Sequence, residues 1–427
     1  MTLRDWLARI EQLHSRDIEL GLERLMPVAR RLGVTQLPCP VITVAGTNGK
    51  GSTVALIEAL AQARGLNVCC YTSPHIHAFN ERVRINGRMA EDATLVAACE
   101  RVERAREGVP LTYFEFTTLV ALDCFSRAAP ELAVLEVGLG GRLDAVNLVD
   151  ADVAVVTSIG LDHTDWLGDT REAIAREKCG IARTGRPLVY GELDRPASVD
   201  QCCETLSAPL LAAGRQFGAG PDGVIRWLSG GAESRVCCDT ARLGHDNLAT
   251  AVQALALLEL LPQRSLISEV AAGTRLAGRC QAVTDDGVEW LFDVGHNREA
   301  VARLVAALAP RGRTRVVIGM LGDKPARATL ALLAPLADQW FLLGLPPPRG
   351  LSAEALLECL PEGAQPVQCH DNANALTDAL GQVLEAGDRV LVLGSFLTVD
   401  AVAAARGWNL FKLAATDAGI PVPERTQ

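Results

Sequence analysis

The chain has 427 residues, enough for two or three domains with well-filled cores. Hydrophobic residues make up 49% and charged residues 22%, and 51 acidic against 41 basic side chains leave a formal net charge of −10. No Lys/Arg-rich run stands out against that balance, which argues against nucleic acid as a partner, and no uncharged apolar run is long enough to span a bilayer.

In chain order, the opening segment MTLRDWLARIEQLHSRDIEL mixes charges through every turn and is not expected to be a signal peptide. The 13 cysteines include no CxxC pair and read as reduced thiols of a cytoplasmic protein. The apolar runs VITVA (41–45), LAVLEV (132–137), VAVVTS (153–158) and PLVYG (187–191) predict buried strands of a mostly parallel sheet. Helical patterns fall between them at about 52–64, 92–107, 114–129 and 170–183. Residues 195–240 are less regular and read as short strands and loops, before a strong helix in DNLATAVQALALLELL. A second alternating block runs through EWLFDV (289–294), RTRVVIGML, WFLLGL and RVLVLGS, which predicts a smaller sheet of its own. The expected architecture is α/β, with domains at 1–285 and 286–427, the boundary lying beside TDDG.

The stretch TVAGTNGKGST (43–53) has the makings of a phosphate-binding loop. A strand ends in Gly46, Gly49 and Gly51, which let backbone N–H groups approach phosphate oxygens, and a helix N-terminus follows with its partial positive charge. Lys50 would serve the β/γ-phosphates, and Ser52 could cap the helix or reach a metal-bound water. Two positions depart from G-x-x-x-x-G-K-[ST]: Val44 stands where the first glycine belongs, and Gly51 separates Lys50 from Ser52.

This loop resembles the variant of the Mur-type amide ligases and folylpolyglutamate synthases. YTSPHI (71–76), ERVRING (81–87), LTYFEFTT (111–118), LEVGLGGRLDAVN (135–147), TSIGLDHTDWLG (157–168) and REKCGI (176–181) are similar to that family's signatures. AGRCQ (277–281), FDVGHN (292–297), GMLGDK (319–324) and GSFLTV (394–399) extend the likeness through nearly the whole chain, nearest to the bifunctional bacterial branch. The resemblance implies a P-loop ATPase-like first domain and a Rossmann-like glutamate-ligase domain after it. It implies an ATP-dependent ligase that adds L-glutamate to dihydropteroate and to reduced folates through an acyl phosphate, working as a monomer.

The resemblance also assigns roles. Thr47, Asn48, Gly49, Lys50, Gly51 and Ser52 would hold the ATP phosphates, Asn247 the adenine, Arg279 the phosphates and Asp293 the ribose. Ser73, Glu136 and His163 would bind Mg²⁺. Lys178 alone reads as a solvated lysine on an amphipathic helix; the family makes it an N6-carboxylysine that holds a second Mg²⁺. Lys50, Glu136, His163 and Lys178 would thus carry the chemistry. The pterin would meet Asp17, Ile18, Glu19 and Leu20, then Thr112, Tyr113, Phe114 and Glu115, then Leu143, Asp144 and Ala145. Arg82, His296 and Ser395 are implied for glutamate, Arg82 because a guanidinium fork matches a carboxylate. Gly295 departs from the family, which commonly has alanine before the His-Asn pair. A monofunctional folylpolyglutamate synthase and a peptidoglycan-precursor ligase are the alternatives within the superfamily; a P-loop kinase or hydrolase and a non-enzymatic nucleotide-binding scaffold lie outside it.

Overall fold

The computed structural model describes residues 1–14, 19–309, 312–364 and 366–417. Its first sheet contains β1 (Val41–Ala45), β2 (Val68–Tyr71), β3 (Val83–Ile85), β4 (Arg88–Met89), β5 (Leu132–Glu136), β6 (Val153–Val156), β7 (Leu188–Tyr190) and β8 (Leu210–Ala212). Their spatial order is β4-β3-β2-β5-β1-β6-β7-β8. From β2 to β8 the strands are parallel, and β3 and β4 add an antiparallel edge. β1, β2, β5, β6 and β7 are buried at every residue, which is why they read as unbroken apolar runs and not as alternating ones.

β2 was not foreseen, because VCCY offers only four residues between helix and loop. β8 joins the main sheet beside β7, and a separate three-stranded sheet contains β9 (Gly218–Ala219), β10 (Val224–Ser229) and β11 (Ala232–Cys237). The irregular region also holds the helix Ala197–Thr205.

The second sheet contains β12 (Gln281–Asp285), β13 (Val288–Asp293), β14 (Thr314–Ile318), β15 (Gln339–Leu343), β16 (Val367–His370) and β17 (Arg389–Leu393), in the order β12-β13-β17-β14-β15-β16. Only β12 and β13 pair antiparallel. The chain divides into compact units at Met1–Thr274 and Arg275–Gln427. A boundary at 285 would cut this hairpin at its turn, so the division falls earlier: β12 pairs with β13 and is held in the second sheet. Arg279 therefore lies in the second unit.

Candidate active site

A parallel sheet delivers the carboxyl ends of its strands to one edge, and the strand order reverses around β1, which lies between β5 and β6. The loops that follow β1, β2, β5 and β6 carry Lys50, Ser73, Glu136 at the strand end itself, and His163.

After β1 the backbone turns through Gly46 at φ +153° and Gly49 at φ +86°, and Gly49 caps the helix Lys50–Ala63. A β-carbon on Gly46 would lie 1.9 Å from Thr157 Oγ1, and one on Gly49 would lie 2.5 Å from Asn247 Oδ1, so only glycine fits at either position. The segment after β6 pins the loop. Thr47 N donates to Ser158 O at 2.9 Å, Asn48 N donates to Ser158 Oγ at 3.0 Å, and Thr157 Oγ1 donates to Asn48 O at 2.6 Å. Lys50 Nζ donates back to Gly46 O at 2.9 Å, which folds the lysine over the loop. Thr157 and Ser158 belong to a recognised motif, but their clamp was not readable from it, because its partners lie more than a hundred residues away.

Asn247 is brought to this loop from the helix His245–Leu257, whose cap is Gly244, not Asn247. Its amide donates to Leu243 O at 2.6 Å and its Oδ1 accepts from Thr53 Oγ1 at 3.4 Å. Ser52 is buried in the first turn of the loop's own helix.

Ser73 and Glu136 meet: Ser73 N donates to Glu136 Oε2 at 3.2 Å, and the glutamate is buried. His163, at φ 53°, begins the single-turn helix Thr164–Leu167, and its N–H bonds Asp162 Oδ1 at 2.9 Å. Lys178 is buried, not solvated, in the last turn of the helix Arg171–Cys179. Burial pushes its amine down from 10.5 to about 7; the Lys50 ammonium pushes the same way, and the Asp162 and Asp144 carboxylates only partly oppose them. The loop after β5 is tied to that helix end by Arg142 N donating to Glu177 O at 2.8 Å.

Among the described residues, no three or more His, Cys, Asp or Glu groups come together as a ready-made metal cage. The Glu136 carboxylate and Ser73 hydroxyl are instead hard oxygen donors of the kind Mg²⁺ takes in small number, completing its shell with phosphate and water. The residues fit that ion.

The acceptor segments converge as well. Gly21 N donates to Leu143 O at 3.3 Å, which joins the segment of Glu19 and Leu20 to Leu143, Asp144 and Ala145. Arg24 bonds Glu19 and forms an ion pair with Glu115 at 2.9 Å. Thr112 and Glu115 form a capping box on the helix Tyr113–Ala128, so the carboxylate of Glu115 has a scaffolding role. Asp144 caps the short helix Ala145–Leu148, and burial raises its carboxyl to about 6 despite backbone N–H bonds from Leu139 and Val146. The ring of Phe114 packs on Gly138 and lies 6.0 Å from Tyr71. Arg82 stacks 5.4 Å from Tyr113, which places it with the acceptor segments, and its Nε donates to His75 Nδ1 at 2.8 Å. Asp17 and Ile18 lie outside the described residues.

In the second unit, Asp293 ends β13, and its carboxylate accepts from Gly295 N at 2.7 Å and Cys280 N at 2.9 Å. A β-carbon at Gly295 would fall 2.8 Å from Asp293 Oδ1, so the glycine gives that carboxylate room. Arg279 stacks 5.4 Å from Phe396. His296 Nδ1 donates to Val294 O at 2.9 Å, and Asn297 caps the helix Arg298–Ala307. Ser395 is buried and caps the helix Phe396–Ala405, its Oγ accepting from Thr398 N at 3.0 Å, a structural task that sequence reading had not given it.

Comparison with known proteins gives the family. The Mur ligase middle domain matches residues 44–187, and the Mur ligase glutamate ligase domain matches residues 278–396. The fold is that of the Mur ligases, and the chain is an ATP-dependent ligase of that family. The chain is 43% identical over 404 residues to the dihydrofolate synthase/folylpolyglutamate synthase of Escherichia coli, covering 93% of this chain and 94% of that protein. The protein of the same name from Haemophilus influenzae is 37% identical over 431 residues, covering 93% and 96%. Within the Mur ligases, the chain belongs to the dihydrofolate synthase/folylpolyglutamate synthase family. The structure of E. coli FolC in complex with DHPP and ADP is similar at a TM-score of 0.90 and 42% identity, covering 95% of this chain and 98% of that one. A bifunctional folylpolyglutamate synthase/dihydrofolate synthase with Mn, AMPPNP and L-glutamate bound is similar at 0.87 and 41%, covering 95% and 98%.

Proposed function

We propose that the protein joins L-glutamate to dihydropteroate, forming dihydrofolate, and to reduced folates, extending their glutamate tails. The observation that carries this reading is the meeting, at one sheet edge, of a phosphate loop, the Ser73–Glu136 pair and the buried Lys178, beside acceptor segments that hold Phe114 and Asp144. A carboxylate oxygen is too poor a leaving group for direct amide formation. Phosphorylation by ATP gives an acyl phosphate, and attack by the glutamate amine forms the amide and expels phosphate.

The backbone of Thr47, Asn48, Gly49, Gly51 and the Lys50 ammonium hold the β- and γ-phosphates. Asn247 takes the adenine, Arg279 the phosphates and Asp293 the ribose. Ser73, Glu136, His163 and a carbamate on Lys178 hold two Mg²⁺ ions. When bound, these ions neutralise the phosphate charge that would repel the acceptor carboxylate. Lys178 suits carbamylation because CO₂ reacts only with the neutral amine. At pH 7 an amine titrating at about 7 is half neutral, roughly a thousandfold more than an ordinary lysine. The carbamate would also remove the like charge that Lys178 presents to Lys50.

Phe114, Leu143, Asp144 and Ala145 shape the pterin site together with the Glu19–Leu20 segment. Arg82, His296 and Ser395 are assigned to glutamate and acceptor carboxylates, Arg82 because its planar guanidinium matches a carboxylate, and Ser395 by fixing its helix start. A cytoplasmic monomer is the form we assign to the enzyme; its 13 cysteines are all free, as a reducing compartment would keep them.

The test is phosphate release from ATP, with products identified by mass spectrometry. Dihydropteroate plus glutamate should release phosphate and yield dihydrofolate, tetrahydrofolate plus glutamate should yield the diglutamate, and UDP-linked peptidoglycan precursors should release none. Turnover with only one of the two pterin acceptors would make the enzyme monofunctional.

A further inference from the structure

Residues 72–82 link β2 to the turn before β3 and carry Ser73. The ends of this loop are tied together: Thr72 N donates to Arg82 O at 2.9 Å, and Arg84 Nη1 donates to Thr72 Oγ1 at 3.1 Å. Between the ends, three successive backbone N–H groups converge on one side chain. Ile76 N donates to Glu81 Oε2 at 2.7 Å, and His77 N and Ala78 N both donate to Glu81 Oε1 at 2.8 Å. The glutamate is only 7% exposed, and nothing in the proposed chemistry uses it.

We infer that Glu81 is a positioning residue for the metal–nucleotide site: its carboxylate folds the loop that presents Ser73 to Glu136. This rests on the proposed metal role of Ser73. An ionised carboxylate is an acceptor at both oxygens, and a nest of backbone N–H groups is the partner such a group satisfies. The loop residues 76–78 have no strand or helix ladder to take their N–H groups. Without Glu81, those donors would be left in a half-buried turn, and the loop would have to rearrange to reach water. Ser73 stands at the other end of the same short loop, its N–H held by Glu136 at 3.2 Å, so its hydroxyl position depends on the loop path.

Glutamine at position 81 has the same size but one acceptor oxygen and an NH₂ group. Either orientation turns a donor toward at least one of the three N–H groups. Glu81→Gln should therefore disturb the loop without removing any metal ligand. Outer partners of metal ligands typically affect metal affinity by about 10–100-fold.

The probe is Mn²⁺, titrated by electron paramagnetic resonance into the full-length protein with a non-hydrolysable ATP analogue. Mn²⁺ affinity should fall about tenfold or more in Glu81→Gln, in the same direction as in Ser73→Ala. Glu81→Asp, which keeps the charge on a shorter arm, should recover part of it. A Glu81→Gln protein that binds Mn²⁺ within twofold of the parent overturns the inference. If Ser73→Ala also binds Mn²⁺ like the parent, it is the metal reading of Ser73 that has failed. Should Glu81→Gln not fold, hydrogen exchange on the unmodified protein decides: amides 76–78 should be protected, and exchange at the rate of a free loop overturns the role given to Glu81.

Discussion

Replacing Lys178 with methionine separates what burial costs the protein from what the amine gives it. The Lys178 side chain is 5% exposed, and its amine is lowered from 10.5 to about 7, chiefly by burial and next by the Lys50 ammonium. Each tenfold change in proton affinity is about 1.4 kcal/mol, so keeping this amine in the fold costs roughly 5 kcal/mol at low pH, as an upper bound. The sign follows from proton counting. Between about pH 7 and 10.5 the unfolded chain holds a proton that the folded one has released, so stability contributed at this site rises with pH. Below pH 7 the full cost is present. In metal-free, CO₂-free buffer, Lys178→Met should melt several degrees above the parent at pH 6, and the gap should close as pH approaches 10. Scanning calorimetry across that range measures it, and the same variant should have lost ligase activity. Parallel melting curves for the two proteins from pH 6 to 10 would refute the buried, neutralised amine, and with it the argument for carbamylation. A carbonyl carbon-13 resonance on the parent in labelled bicarbonate, absent from the variant, would identify the carbamate directly.

Lys50→Ala should lower turnover with either acceptor by about a hundredfold or more, because it removes the ammonium that serves the phosphates, and should cost the fold little, since two of the bonds lost are to carbonyls of the loop itself. Gly46→Ala should displace the phosphate loop, because the new carbon falls 1.9 Å from Thr157 Oγ1; nucleotide affinity by calorimetric titration should drop at least about tenfold, and unchanged affinity would mean that the clamp yields freely. Phe114→Ala removes the ring that packs on Gly138, and kcat/KM should fall more for dihydropteroate than for tetrahydrofolate; equal losses would place the ring outside the discriminating contact.

Local pattern made much of the architecture legible from sequence. β1, β5, β6 and β7 are continuous apolar runs because a parallel sheet is covered on both faces, and that signal needs only neighbouring residues. The phosphate loop was equally readable, since its strand, glycines, Lys50 and helix are contiguous in the chain. Other features depend on partners far away in sequence. Lys178 has the local pattern of a solvated helix face, yet tertiary packing buries it near Lys50, Asp144 and Asp162 and moves its titration to neutrality. Asn247 lies in the first turn of its own helix, and the fold puts it against Gly49, some two hundred residues earlier in the chain. The compact units divide before 285 for the same reason: the pairing of β12 with β13, with Gln281 bonded to Leu410 and Asp285 paired with Arg406, holds 281–285 in the second unit. Glu115 and Ser395 also cap helices, a role that depends on where each helix starts in the folded chain. Sequence by itself determined the continuous apolar strands, the phosphate loop and the chemistry available to them. Tertiary structure decided which of those groups are buried, charged and adjacent, because burial and electrostatic coupling depend on distance in space and not along the chain.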